Sequence, residues 1–154
     1  MAAGSNSEVI NKRVIEDLNT VANLLLQRFP ELRGRVEASF GSYYNLEKEL
    51  PGPYAVFEDV LRDVVIECLD ANDGAAFLSG IFGFLEEMAN SSNPGITDLL
   101  RIAILESLVA SRELLTRAWG YMGKKMRELA RETARVTGHS QNLPLGENQA
   151  GNGH

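Results

Sequence analysis

The sequence predicts an all-α fold: an irregular helical bundle, or a short stack of antiparallel helical hairpins, with about six to seven helices. Three observations carry this. Apolar residues recur at spacings of three and four along most of the chain. Clusters of Pro, Gly and Asn cut that pattern into pieces of helix length. No segment alternates apolar and polar residues long enough to argue for a sheet. A chain of 154 residues with 44% hydrophobic content suits one domain around one core.

The first helix is read from Ile10, Val14, Leu18, Val21, Leu25 and Phe29, which fall on one stripe. Ser5 and Glu8 form a capping-box pattern at its start, and Pro30 ends it. A shorter helix follows through Leu32, Val36 and Phe40, broken by Gly41-Ser42. The stretch from Tyr43 to Pro53 has no clear pattern. Pro53 suits the first turn of a third helix that carries Phe57, Val60, Leu61, Val64, Val65, Cys68 and Leu69. Asn72-Asp73-Gly74 closes it, and Asp73 is a good N-cap for the next helix.

That helix runs from Phe77 to Met88 and contains Ala76, Gly80 and Gly83, a small-residue stripe read as the close approach of a neighbour. Asn93 caps the following helix with Pro94 in its first position. From Ile96 to Val109 that helix is apolar on almost every side, so it is the central element. Ser111 caps a short helix holding Leu114, Leu115 and Trp119. Gly120-Tyr121-Met122-Gly123 precedes a last amphipathic helix with Met122, Met126, Leu129, Thr133 and Val136 on one side. Periodicity ends at Gly138. The expected organisation is one helical domain over residues 1–137 and a structureless tail over 138–154.

Little in the sequence points to catalysis or metal binding. Cys68, the lone cysteine, lies on an apolar helix and reads as a core thiol rather than a nucleophile. His139 and His154 fall in the expected tail, where packing cannot hold a general base. The Asp59–Asp63 and Asp63–Glu67 pairs share a helix face and could attract a hard cation, but solvated helices commonly carry such rows. Glu106, within the most apolar helix, is the one acid that could be buried and perturbed. Pairing with Arg101 or Arg112 is the plainer reading. No catalytic residue, metal ligand or cofactor is therefore expected. The N-terminus lacks a signal-peptide pattern and no apolar run is long enough to span a bilayer, so a cytoplasmic location is expected.

Charge is unevenly spread. Residues 45–90 hold ten acids and two bases, while residues 101–135 hold eight bases and four acids. The net charge of -6 disfavours nucleic acid as a partner. The acidic middle is the candidate functional surface: Glu58, Asp59, Asp63, Glu67 and Asp70, with Glu86 and Glu87 nearby, could hold a basic protein partner.

The stretch Phe77-Leu78-Ser79-Gly80-Ile81-Phe82-Gly83-Phe84-Leu85-Glu86-Glu87-Met88, then Ile96-Thr97-Asp98-Leu99-Leu100, Ile104-Leu105-Glu106-Ser107-Leu108 and Tyr121-Met122-Gly123, resembles a group of small uncharacterised bacterial helical proteins. In size and character that group is similar to immunity proteins that neutralise polymorphic toxins. The resemblance implies an all-helical fold, no catalysis and a protein partner, with a toxin domain as the candidate. Gly83 and the long tail depart from the group's pattern. The expectation is a cytoplasmic protein-binding domain; the alternatives are a self-associating scaffold module, with a homo-oligomer possible, and an enzyme using Glu106.

Overall fold

A computed structural model describes residues 15–42, 45–46 and 48–147, which form seven helices and no strand. They are α1 (Val21–Arg28), α2 (Arg33–Phe40, entered through a 3-10 turn Pro30–Leu32), α3 (residues 53–71), α4 (Ala75–Ala89), α5 (residues 94–109), α6 (Arg112–Trp119) and α7 (Lys124–Thr137). A 3-10 turn, Ser140–Asn142, comes after α7. The all-α expectation holds.

Helix α5 is central, touching α3, α4, α6 and α7. Ile96, Leu99, Leu100, Ala103, Ile104, Leu105, Leu108 and Val109 are all buried, and Ile102 alone of its large apolar residues reaches the surface. Asn93 and Ser111 cap as the sequence indicates: Asn93 Oδ1 accepts the Gly95 N–H at 2.9 Å, and Ser111 Oγ accepts the Leu114 N–H at 3.2 Å. Two features were not legible. Phe57–Leu61 in α3 and Arg101–Leu105 in α5 are π-helical turns, and they pack against each other. Such turns are rare in helices, and each shifts the phase of the helix beyond it.

Three expectations need correction. The first helix is shorter than its stripe: residues 15–20 are not helical, while Ser5, Glu8, Ile10 and Val14 lie outside the described residues. Asp17 explains the late start, because its carboxylate accepts the Asn19 N–H at 2.8 Å and offers the backbone a turn instead of a helix. Asp73 does not cap α4; Gly74 holds the N-cap position at φ 74°, and Asp73 Oδ1 accepts the Gly74 N–H. Finally, Val136 is 71% exposed, and Ala130 and Ala134 fill the buried face of α7 with Met126 and Thr133. The Thr133 hydroxyl donates to the Leu129 carbonyl at 2.7 Å, so its burial leaves no orphan donor.

Of the expected tail, residues 138–147 are ordered, further than composition suggests. Gly138, at φ 80°, reverses the chain, with the Gly138 N–H on the Arg135 carbonyl and the His139 N–H on the Ala134 carbonyl. Asn142 Nδ2 then donates to the Val109 carbonyl at 2.9 Å, Arg112 to the Gln141 carbonyl, and Arg131 pairs with Glu147. Leu143 is 6% exposed and anchors the segment in the core. His139 thus sits on a fixed backbone, not in a loose tail. Composition misleads here because periodicity is not required: one leucine and three polar contacts suffice to hold a segment that already leaves a helix end in the right direction.

The chain before α1 is clasped as well. Ser92 N–H and both Ser91 and Ser92 hydroxyls donate to the Glu16 carboxylate, and Asn93 Nδ2 donates to the Glu16 carbonyl. The Ser92 amide, then its hydroxyl, hold the Glu16 carboxyl below its ordinary value of 4.5, against the opposing cost of desolvation.

Two measurements check these anchors. Leu143→Ala should lower the unfolding free energy by about 2 kcal/mol in urea titration, whereas a loose tail would leave the midpoint unmoved. Because the folded Glu16 carboxyl is depressed, its clasp is present above the ordinary carboxylate value and lost as pH falls through the folded value. Amide exchange should show Ser92 protected at neutral pH and progressively unprotected below about 4.5, with Glu16→Gln abolishing that step.

Candidate functional site

The seven acids singled out in the sequence separate into two groups. Glu86 and Glu87 on α4 are consumed by the fold. Glu86 accepts the backbone N–H groups of Lys125 at 2.9 Å and Met126 at 3.1 Å, the first turn of α7. Both Glu87 carboxylate oxygens accept from Arg28 Nη1 at 2.8 Å, with both side chains 21% exposed, and Arg28 also lies over the Phe84 ring. Both are therefore engaged inside the fold, unlike the open carboxylates of α3. Sequence spacing carries no signal for either contact, because the partners are 39 to 59 residues away.

The other five lie on α3. Asp59, Asp63, Glu67 and Asp70 are exposed along one side, and Glu58 is half-buried. Arg35 of α2 reaches across to pair with the Glu67 carboxylate, which lowers the Glu67 pKa and raises that of Arg35. Asp63 has only a long contact to its neighbour Arg62, at 3.9 Å. Among the described residues no ion pair engages Asp59 or the Asp70 carboxylate. Glu58 belongs to a separate corner with Tyr54 and the Asp98–Arg101 pair, where burial first, then Asp98, pushes the Tyr54 phenol up.

The bases concentrated in the C-terminal half are largely spent internally. Arg117 donates to the Leu69 and Asp70 carbonyls, closing the C-terminus of α3. Arg127 donates to the Trp119 carbonyl, and Arg127 and Arg131 lie over the Trp119 ring at 5.3 and 5.9 Å. Trp119 is buried beneath them. Tyr121 stacks on Phe82.

Cys68 is half-buried at the core's edge, not sealed inside it as expected. Burial, then the Asp73 and Glu67 charges, push its thiol up, which favours the unreactive protonated form. It lies between two clefts. One of about 190 Å³ adjoins Asn72, Arg117 and Tyr121. The other, about 360 Å³, runs between the 3-10 turn, α3 and the start of α4. Glu106 is exposed, so α5 does not build a converging pocket around it. No three or more His, Cys, Asp or Glu side chains among the described residues are grouped to hold a metal ion, and no helix there is long and apolar enough to cross a membrane. Of the small-residue stripe, Gly80 meets its neighbour, the Phe29 ring, 3.1 Å from where a Cβ would stand; Gly83 faces open space.

The Glu86 contact also explains Gly123. A Cβ there would lie 2.6 Å from the Glu86 carboxyl carbon. Gly123→Ala should destabilise by about 1–3 kcal/mol, and Glu86→Ala by about 1–2 kcal/mol. The double variant should cost less than the sum, because removing the carboxylate removes the clash. Strict additivity in chemical denaturation would refute the contact.

No curated protein and no solved structure gives a significant match to the chain. A family model described as a domain of unknown function, DUF7674, matches residues 22–137, from the first turn of α1 to the last residue of α7, and the chain belongs to that family.

Proposed function

We propose that this chain is a protein-binding module whose acidic α3 face captures a basic protein partner. The observation that carries the reading is the placement of Asp59, Asp63 and Asp70, exposed along one helix while neighbouring acids on α4 are tied into the fold. Carboxylates in that setting keep their charge available at long range, which steers encounter and sets register with a positive surface. Asp98 and Glu147, from outside residues 101–135, pair with Arg101 and Arg131, so part of that stretch's basic excess is met inside the domain, whereas the exposed side of α3 keeps its negative charge. The likeness to immunity proteins fits this reading. It would make the partner a basic toxin domain and place the module in the bacterial cytoplasm.

The scaffold alternative draws less support. Ile102, Val136 and Leu145 are exposed, but they lie on three different segments, and single exposed apolar residues are ordinary on protein surfaces.

The test is a triple reversal, Asp59→Lys with Asp63→Lys and Asp70→Lys, used as bait in an extract of the native cell. Circular dichroism should show an unchanged helical domain, and the protein captured by the native chain should be retained about tenfold less at low salt. Equal retention of the same protein by both baits would overturn the reading.

A further inference from the structure

The larger cleft beside Cys68 has a composition that specifies an occupant. Its floor is apolar, made by Leu32 from the 3-10 turn, Val64 from α3 and Phe77 from α4. Its edge is charged. Glu31 lines it directly, and Asp63 and Glu67 precede Val64 and Cys68 in sequence, about 100° around the helix. Two bases stand near these three acids: Arg35, which also lines the cleft and pairs with Glu67, and Arg62, at 3.9 Å from Asp63. At about 360 Å³ the cleft lies at the low end of the ~300–1,000 Å³ typical of ligand sites. It is shallow and open to solvent, and Asp63 and Glu67 belong to the exposed side of α3.

We infer that this cleft is the anchor pocket for a basic peptide segment of the partner. A large apolar side chain enters between Leu32, Val64 and Phe77, and Lys or Arg residues flanking it meet Glu31, Asp63 and Glu67. The inference rests on the acidic-face reading and deepens it: charge brings the segment in, and the apolar floor selects it. Charge complementarity decides the occupant. A second copy would bring an overall charge of -6, and its basic stretch, residues 101–135, already spends Arg117, Arg127 and Arg131 on internal contacts. The inserted anchor closes one of the two clefts that reach Cys68, so the lone thiol reports occupancy by slowed, not abolished, alkylation.

The probe is a short synthetic helix with leucines at i, i+3, i+4 and i+7 and lysines elsewhere, compared with a scrambled peptide of the same composition. The full chain should bind the ordered peptide about tenfold more tightly than the scrambled one, and the ordered peptide should slow alkylation of Cys68 by iodoacetamide. Two variants separate the anchor from bulk charge. Val64→Asp adds an acid but spoils the floor, so it should weaken binding, whereas simple charge attraction would strengthen it. Arg35→Ala leaves the floor intact and frees Glu67, so it should tighten binding about threefold, as expected for one unit charge at this range. Its pair with Glu67 is solvent-exposed, and such pairs contribute little to folding.

Equal binding of the two peptides, or unslowed Cys68 alkylation in their complex, would overturn the pocket and leave the acidic face standing, provided the Asp59, Asp63 and Asp70 reversal still abolishes that binding. Failure of both peptides to bind at low salt would overturn pocket and face together. Protection of Cys68 that rises with protein concentration, without peptide, would assign the cleft to a second copy and overturn the pocket.

Discussion

Helix α7 begins with help from α4. Its N-cap is Gly123, which has no side chain to satisfy the first amides, and its first residues are Lys124 and Lys125. Both features disfavour a helix start, since orphan N–H groups need acceptors and the helix dipole places positive charge at that end. Glu86, three turns into α4, corrects both at once by accepting the Lys125 and Met126 amides. Gly123 is the counterpart of that contact, because its missing Cβ is the space the carboxylate occupies. The α4–α7 contact then fixes the lid of the bundle. Met126, Ala130 and Ala134 close over α5, and Arg127 and Arg131 settle on Trp119.

That interaction changes what the family likeness means. The Phe84-Leu85-Glu86 segment and the Tyr121-Met122-Gly123 segment are far apart in sequence, yet they are the two halves of one structural joint. Phe84 and Leu85 are core, Tyr121 stacks on Phe82, and Glu86 and Gly123 fit together. Residues of this kind report a shared fold, and a fold does not specify an activity. The side chains that could set one member's activity apart from another's must be sought among those the fold leaves unused.

The sequence was most informative where local chemistry decides the outcome. The caps at Asn93 and Ser111, the proline-led start of α3 and the enclosed character of α5 all arise from short-range patterns. It was least informative where other interactions decide. The Asx turn at Asp17 overrode a clean apolar stripe, and two π turns altered helices that a 3.6-residue period describes only on average. The order of residues 138–147 was hidden because a single buried leucine leaves no periodicity to detect. The candidate acids are divided for a related reason. Glu58, Asp59, Asp63, Glu67, Asp70, Glu86 and Glu87 look alike in sequence, and only tertiary pairing to Arg28, Arg35 and the α7 amides tells structural carboxylates from available ones.

Availability is itself informative, because like charges along one helix are mildly unfavourable. Asp59 and Asp63, four residues apart, repel each other by about a few tenths of a kcal/mol, as same-sign pairs at that spacing do. Asp70 sits in the last turn of α3, where the dipole favours a cation. Elsewhere the fold answers such conflicts directly: Arg28 answers Glu87, Arg117 answers the open carbonyls beside Asp70, and Glu86 answers the bare start of α7. On the exposed side of α3 only Glu67 receives a strong partner, and that partner, Arg35, is solvent-exposed and stands at the edge of an apolar cleft. A domain that resolves its charge conflicts at its internal joints and leaves them standing beside an apolar floor has a surface suited to a positive, amphipathic partner.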